Sequence, residues 1–276
     1  MATLELDDGS LWYETTGDED APPLVFIHGG WMHGEAWRPQ VDRFADEYRI
    51  VTLDVRGHGE TGPTDRDRYS VDLFADDLER LLEHLEIDRP ILCGLSLGSM
   101  IAQTYLDRHP DGTAGAVLGG AVRSLPPIDV PSGVKPFVSP MPALAATLSL
   151  TGPEATFRSM LGSIRASHGG PWLSVDPEVR EAAIEDVGEM SAAEFRKIFG
   201  ALYRYDPPDL SHVSTPTLVL YGDREYPLVK RQGQQVASFL DGTVVPVPKA
   251  GHLVNEDNPT AFNEASSRFL AGLEAA

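Results

Sequence analysis

The sequence contains one cysteine, Cys93, among its 276 residues. A single cysteine excludes an intrachain disulfide, so no feature of this kind calls for an oxidising compartment. Cys93 lies in an aliphatic run that is typical of a buried strand. We therefore interpret it as a small packing residue and not as a redox or nucleophilic group.

Basic residues are also scarce, with 22 Lys and Arg against 42 Asp and Glu and a formal net charge of −20. This charge repels phosphate backbones and anionic lipid surfaces, so no nucleic-acid partner is expected. An acidic surface suits high salt, but codon usage in a GC-rich genome would favour similar residues. Halophily predicts that fold and activity persist in molar KCl, where charge repulsion is screened.

Long apolar runs are absent, and residues 1–8 lack the basic start and apolar middle of a signal peptide. The histidines other than those in the motifs below show none of the spacings typical of metal ligands. We therefore expect a cytoplasmic protein with no metal, no cofactor and no membrane partner. The sequence leaves the oligomeric state open.

Apolar runs of strand length alternate with amphipathic stretches of helix length, which predicts an α/β fold with a mostly parallel sheet and helices on both faces. The predicted strands are residues 4–6, 11–15, 24–27, 50–53, 90–93, 114–118, 216–221 and 244–247. The first two flank Asp8 and Gly9 and should form a hairpin. The predicted helices are residues 39–47, 70–85, 97–108, 229–239 and 259–270.

The alternation stops between residues 123 and 214, where a proline-rich stretch precedes helix-like segments. Asp176 before Pro177, and Ser191 three residues before Glu194, are typical helix starts. We interpret residues 123–214 as a helical cap, or lid. It is inserted into a core domain made of residues 1–122 and 215–276.

The segment from Gly94 to Gly98, with Ser96 at its centre, links a predicted strand directly to a predicted helix. Glycine two positions before and after a serine permits a sharp strand-to-helix turn, because a β-carbon there would clash. Such a nucleophile elbow exposes the serine hydroxyl at the positive end of a helix. The sequence therefore predicts Ser96 as a nucleophile.

A serine hydroxyl is a poor nucleophile near neutral pH and needs a base and a group that orients this base. Asp223 follows the strand at residues 217–221, and His252 follows the strand at residues 244–247. The carboxyl ends of parallel strands are where α/β sheets gather functional groups. We predict that His252 takes the proton of Ser96 while Asp223 orients the imidazole.

A second loop should face the elbow and donate to the oxyanion that forms during acyl transfer. The glycine-rich residues 28–31 follow the strand at residues 24–27, where this loop is expected. We predict that the backbone N–H groups of Gly30 and Leu97 form the oxyanion hole. Trp31 follows Gly30 directly and is predicted to contact the substrate.

These motifs make the chain resemble the α/β-hydrolase superfamily, in its capped esterase, lactonase and peroxidase-like branch. The resemblance is carried by residues 28–31 with Trp37, residues 54–59, the elbow, Asp223 and His252. It implies an eight-stranded sheet and a helical lid. Haloalkane dehalogenases and epoxide hydrolases of similar build carry an aspartate where this chain has Ser96, which argues against those two chemistries.

The expected function is hydrolysis of a small carboxylic ester or lactone through an acyl-enzyme. The same triad also serves carbon–carbon bond hydrolysis of a ring-cleavage product and perhydrolysis with peroxide, and sequence spacing does not separate these reactions. A ligand-binding or signalling protein on the same fold is a third alternative. An intact triad argues against it.

Structural roles are favoured for four polar residues near the motifs. His28 and His58 lie in glycine-rich turns, where an imidazole can bond to the backbone. Asp54 and Arg56 are interpreted as a salt-bridged turn that braces the site.

Three more charged residues lie near the site in sequence. Glu256 and Asp257 follow His252, but neighbours on one loop seldom reach an imidazole from behind. Arg123 is a candidate to bind a substrate carboxylate. The candidates to line an apolar pocket are Trp31, Leu97, Met100, Tyr226 and Leu253, with Phe137, Met141, Phe157, Met160 and Trp172 from the cap.

Overall fold

A computed structural model describes residues 1–124 and 139–274 of the protein. The predicted mostly parallel sheet of eight strands is confirmed, in the order β1-β2-β4-β3-β5-β6-β7-β8. The strands are β1 (Ala2–Leu6), β2 (Gly9–Thr16), β3 (Pro23–Ile27), β4 (Arg49–Leu53), β5 (Ile91–Leu95), β6 (Gly115–Gly119), β7 (Thr217–Gly222) and β8 (Thr243–Val247). β1 and β2 form the predicted hairpin, and β3 to β8 run parallel.

The helices follow the predicted positions, with two additions that the sequence did not suggest. They are α1 (Arg38–Phe44), α2 (Val71–His84), α3 (Leu97–Arg108), α4 (Met141–His168), α5 (Pro177–Glu189), α6 (Ala192–Arg204), α7 (Pro227–Phe239), α8 (Val254–Asp257) and α9 (Pro259–Glu274). The additions are α8 and a 3₁₀ turn at Gly34–Trp37. Both are single turns, too short to show a helical period.

The central strands β3 to β7 are buried on both faces, which explains why they are apolar runs and do not alternate with polar residues. In β3, Val25 and Ile27 belong to one hydrophobic core, while Leu24 and Phe26 belong to the other. α2 and α3 cover the first face, and α1 and α9 contribute to the second. Cys93 is buried in the second core, and burial raises the pKa of its thiol, as expected for a packing residue.

The described residues between β6 and β7 form α4, α5 and α6, and no strand lies among them. Asp176 caps α5 by accepting from the backbone N–H of Glu178, at 2.8 Å. Ser191 caps α6 by accepting from the N–H of Glu194, at 3.2 Å. The carboxylate of Glu194 accepts from the hydroxyl of Tyr69, at 2.6 Å.

α4 is kinked at Gly152, whose φ of 78° lies outside the helical region. Most of the proline-rich stretch, together with Phe137, lies outside the described residues. None of the helices that are described is long and apolar enough to span a bilayer. The cap boundaries at residues 123 and 214 stay a prediction.

Candidate active site

Ser96 occupies a sharp turn between β5 and α3, with a φ of 52° and a ψ of −106°. A non-glycine residue rarely adopts a positive φ, so the surrounding structure must hold it there. A β-carbon at Gly98 would lie 2.0 Å from the carbonyl oxygen of Ile27, and one at Gly94 would lie 2.4 Å from that of Gly98. Gly98 therefore lets the turn pack against β3, and Gly94 lets the end of β5 lie close to the first turn of α3.

His252 lies beside Ser96, in the loop between β8 and α8. Its Nε2 is 2.8 Å from Oγ of Ser96. The imidazole is almost fully buried, with its side chain 6% exposed. Since its Nδ1 faces a carboxylate and carries the proton, Nε2 is free to accept the proton of the serine hydroxyl.

The carboxylate that bonds to His252 belongs to Glu225, whose Oε2 is 2.6 Å from Nδ1. The prediction that Asp223 orients His252 is therefore wrong. The N–H of Asp223 still donates to Val247 at the end of β8, at 2.9 Å, and its carboxylate is exposed. The chain turns away from β8 beyond Asp223. The N–H of Glu225 closes this turn by donating to the carbonyl of Gly222, at 3.1 Å.

The signal that could have identified Glu225 was present in the sequence. It is a second acid on the same loop, two positions nearer to the start of α7. A residue directly after a strand tends to continue the pairing of that strand, whereas one beyond the turn is free to point back towards the site. Glu225 is 1% exposed.

The second carboxylate oxygen of Glu225 is also satisfied. Oε1 accepts from the N–H of Tyr226, at 2.7 Å, and from Nε1 of Trp172, at 2.5 Å. Each oxygen of this buried carboxylate therefore has a hydrogen-bond donor, as buried polar groups require. Trp172 also packs its ring against the imidazole of His252, with 4.7 Å between ring centroids.

The two predicted oxyanion donors adjoin each other. A β-carbon at Gly30 would lie 3.8 Å from Cβ of Leu97, and Gly30 and Ser96 line the same cavity. The side chain of Leu97 is fully buried in the core, so only its backbone N–H, in the first turn of α3, is available to a ligand. The assignment of this pair as an oxyanion hole stays a prediction.

A cavity of about 50 Å³ lies in front of Ser96. Trp31 lines it as predicted and stacks on Phe195, with 4.9 Å between ring centroids. Apart from Ser96, His252 and the backbone of two glycines, the lining is apolar. The lining residues are Gly29, Gly30, Trp31, Met32, Ser96, Phe157, Trp172, Leu173, Ala183, Val187, Leu202, His252 and Leu253.

Several candidate lining residues lie elsewhere. Leu97 and Met100 belong to the core, and Tyr226, Met141 and Met160 pack against it. Arg123, a candidate carboxylate ligand, donates to the carbonyl of Pro208, at 2.9 Å, and lies over the ring of Phe239.

His28 and His58 brace the loops around the site, the role that the sequence favours. Nδ1 of His28 bonds to the carbonyl of Gly29, at 2.7 Å, and its Nε2 accepts from the N–H of Val55, at 2.9 Å. Nδ1 of His58 bonds to the carbonyl of Arg56, at 2.9 Å. Burial lowers the pKa of His28 to about 4 and that of His58 to about 3, so both rings are neutral at physiological pH.

Arg56 also has a structural role, although its partners differ from the expected one. It forms ion pairs of 2.6 Å with Asp77 and with Asp8. Asp54 instead accepts from the N–H of Gly34, at 2.6 Å. Within the described part of the chain, no group of three or more His, Cys, Asp or Glu residues is arranged to hold a metal ion.

The family of the chain follows from comparison with known proteins. A family model described as the alpha/beta hydrolase fold matches residues 22–259. The chain is an α/β hydrolase. This agrees with the strand order and with the serine at the turn after β5.

The hydrolase has relatives with several activities. It is 27% identical over 269 residues to 3-oxoadipate enol-lactonase 2 of Acinetobacter baylyi. This match covers 95% of this chain and 94% of the relative. It is 30% identical over 240 residues to a probable proline iminopeptidase of Streptomyces coelicolor. This match covers 81% of this chain and 70% of the relative.

Solved structures share the fold over almost the whole length. A thermophilic esterase from Thermogutta terrifontis superposes on the hydrolase with a TM-score of 0.81 at 23% identity and covers 99% of both chains. The enol-lactonase from Burkholderia xenovorans gives a TM-score of 0.79 at 21% identity and covers 98% of this chain and 100% of its own.

Proposed function

We propose that the hydrolase cleaves a small carboxylic ester or lactone through an acyl-enzyme on Ser96. The observation that carries this proposal is the hydrogen-bonded series of Ser96, His252 and Glu225, with 2.8 Å between Oγ and Nε2 and 2.6 Å between Nδ1 and Oε2. A series of this kind activates a serine hydroxyl for attack on an acyl carbon.

In the first half of the reaction, Oγ of Ser96 attacks the carbonyl carbon while Nε2 of His252 takes the hydroxyl proton. The tetrahedral intermediate then collapses, and the imidazolium gives this proton to the departing alkoxide oxygen. Glu225 keeps its bond to Nδ1 throughout and stabilises the positive charge of the ring. The products of this half are an acyl-serine and an alcohol, which stays tethered when the substrate is a lactone.

In the second half, His252 takes a proton from water, and the resulting hydroxide attacks the acyl carbon. The proton then returns through Nε2 to Oγ of Ser96, which releases the acid and restores the enzyme. In both halves the developing oxyanion would accept from the N–H groups of Gly30 and Leu97. One such donor typically contributes about 10²- to 10³-fold in rate.

The size of the cavity favours a short acyl group. At about 50 Å³ it is about a third of the size of a cavity of about 150 Å³, which suffices to bind benzene. Its apolar lining matches a short alkyl chain better than a charged group. The names of the relatives and structural neighbours, which include esterases and enol-lactonases, support the same class of substrate.

The test is the turnover of p-nitrophenyl acetate by Ser96→Ala, with Ser163→Ala as the matched control. Ser163 is exposed on α4, so its replacement should leave turnover unchanged. Ser96→Ala should lower turnover to the rate of spontaneous hydrolysis in buffer. A fluorophosphonate probe should label the wild-type protein at Ser96 alone. Undiminished turnover by a folded Ser96→Ala protein would contradict the proposal.

A further inference from the structure

Trp172 belongs to the segment between α4 and α5, yet its indole N–H reaches the acid of the core. Nε1 lies 2.5 Å from Oε1 of Glu225, while Oε2 of the same carboxylate bonds to His252. The two oxygens therefore bond to two different parts of the chain. One is the cap region and the other is the loop after β8.

The backbone of the same segment pairs with the loop that carries His252. The N–H of His252 donates to the carbonyl of Trp172, at 2.9 Å, and that of Leu253 donates to the carbonyl of Leu173, at 2.8 Å. A β-carbon at Gly251 would lie 2.5 Å from the carbonyl oxygen of Trp172. The glycine before His252 therefore allows the segment to dock this closely.

The carboxylate of Asp257 fixes the same junction from the other side. It accepts from the N–H of Gly251, at 2.6 Å, and from the N–H of Val175, at 3.0 Å. It also accepts from the hydroxyl of Ser174, at 2.5 Å. Residues 172–175 are thus held against the His252 loop by backbone and side-chain hydrogen bonds. These bonds fix the position of the indole relative to Glu225.

We propose that Trp172 is a positioning residue for the Glu225–His252 pair, so that the cap region completes the triad of the core. This inference rests on the proposed function of Ser96. Glu225 is 1% exposed, and a buried carboxylate needs hydrogen-bond donors on both oxygens to be held in one orientation. The indole N–H supplies one of the two donors to Oε1 and keeps Oε2 directed at Nδ1.

A purely structural role of Trp172 makes a different prediction. Its ring also covers the imidazole and lines the cavity, and a large aromatic side chain could matter for packing alone. Trp172→Phe keeps an aromatic ring but removes the N–H donor. Replacement of Trp172 by benzothienylalanine, in which sulfur replaces the N–H, keeps the full ring volume.

We expect both variants to lower kcat for p-nitrophenyl acetate by about tenfold to a hundredfold, as for the loss of one hydrogen bond to a buried charge, with KM within about twofold. The acidic limb of the pH profile of kcat/KM should move to higher pH. The reason is that a carboxylate with one donor fewer attracts the Nδ1 proton of His252 more strongly and so stabilises the imidazolium. Trp12→Phe, a half-buried tryptophan in β2, is the control and should change none of these values.

Wild-type kcat and an unshifted pH profile in the benzothienylalanine variant would overturn the proposal. So would a loss of activity in Trp172→Leu without any loss in the other two variants, because this pattern is that of packing alone. The benzothienylalanine variant keeps the shape of the side chain, so it remains decisive if Trp172→Phe does not fold.

The failure of the proposed function would look different. Absence of fluorophosphonate labelling at Ser96 in the wild-type protein would reject the enzyme mechanism. Even then, proton NMR tests the positioning role. The proton between Nδ1 of His252 and Oε2 of Glu225 lies in a hydrogen bond of 2.6 Å and should give a strongly downfield resonance. Loss of the Trp172 N–H should shift this signal, and an unchanged signal would count against the positioning role.

Discussion

Glu225 and Asp223 lie two residues apart on one loop, but only Glu225 reaches the imidazole of His252. Oε2 of Glu225 is 2.6 Å from Nδ1, whereas the side chain of Asp223 is 40% exposed and its Oδ1 lies 3.3 Å from the N–H of Ala250. Two carboxylates so close in sequence allow a direct comparison of a buried acid in the site with an exposed one beside it.

Glu225→Gln is expected to lower kcat by about 10⁴-fold, because an amide at this position favours the wrong tautomer of the imidazole and cannot stabilise its positive form. Asp223→Asn should change kcat by no more than about twofold. The measurement is steady-state hydrolysis of p-nitrophenyl acetate, with circular dichroism to verify folding. The reverse ranking of the two variants would refute the assignment of Glu225.

The fold was predictable because its signals are local. The apolar residues of β3 and β5 form strand-length runs, and the turn is marked by glycines two positions before and two positions after Ser96. Functional groups of parallel sheets gather at the carboxyl ends of the strands, which is why Ser96 and His252 were expected to lie together.

The acid and its second partner were not predictable in the same way. Whether Asp223 or Glu225 faces His252 depends on how far the pairing of β7 with β8 continues, and this is a property of the folded sheet. The bond from Trp172 to Glu225 joins residues 53 positions apart and depends on how the cap region docks. The sequence places both acids on one loop, but no local pattern encodes the contact with Trp172.

Gly98→Ala is expected to destabilise the protein, because its β-carbon would lie 2.0 Å from the carbonyl oxygen of Ile27. Relief of this clash requires a backbone shift, which costs about 1–3 kcal/mol and lowers the melting temperature by several degrees. The control is Gly162→Ala in α4, where a β-carbon would meet nothing within 4 Å. This change should stabilise the helix by up to about 1 kcal/mol. Equal melting temperatures for the two variants would contradict the tight packing of the elbow.

Glu256 should make the stability of the protein fall as the pH rises. Burial, together with the nearby carboxylates of Asp186 and Asp257, raises the pKa of Glu256 to about 8, from an unperturbed value of 4.5. Between these two values the unfolded chain releases the proton while the folded protein retains it, so the free energy of unfolding decreases over this range. Below it the side chain is protonated in both states and has no such effect.

Glu256→Gln mimics the protonated form and tests this expectation. Urea unfolding near pH 4 should give similar free energies for the variant and the wild type. Near pH 8 the variant should be more stable by about 1–3 kcal/mol. Glu185→Gln, at an exposed position of α5, is the matched control. A difference between variant and wild type that does not vary with pH would show that the gain comes from something other than the proton.

Val187 and Ala183 line the cavity from one face of α5, so their volumes should set the acyl length that the hydrolase accepts. Val187→Ala removes two methyl groups from the lining of a cavity of about 50 Å³ and makes room for a longer chain. One accommodated methylene typically changes kcat/KM by about tenfold or more, so the ratio of butyrate to acetate turnover should rise by at least this factor.

Ala183→Val should lower the same ratio, because it narrows the cavity from the same helix. Val179 is on α5 but does not line the cavity, so Val179→Ala should leave the ratio unchanged. If Val187→Ala and Val179→Ala shift the preference equally, the cavity is not where the acyl chain binds.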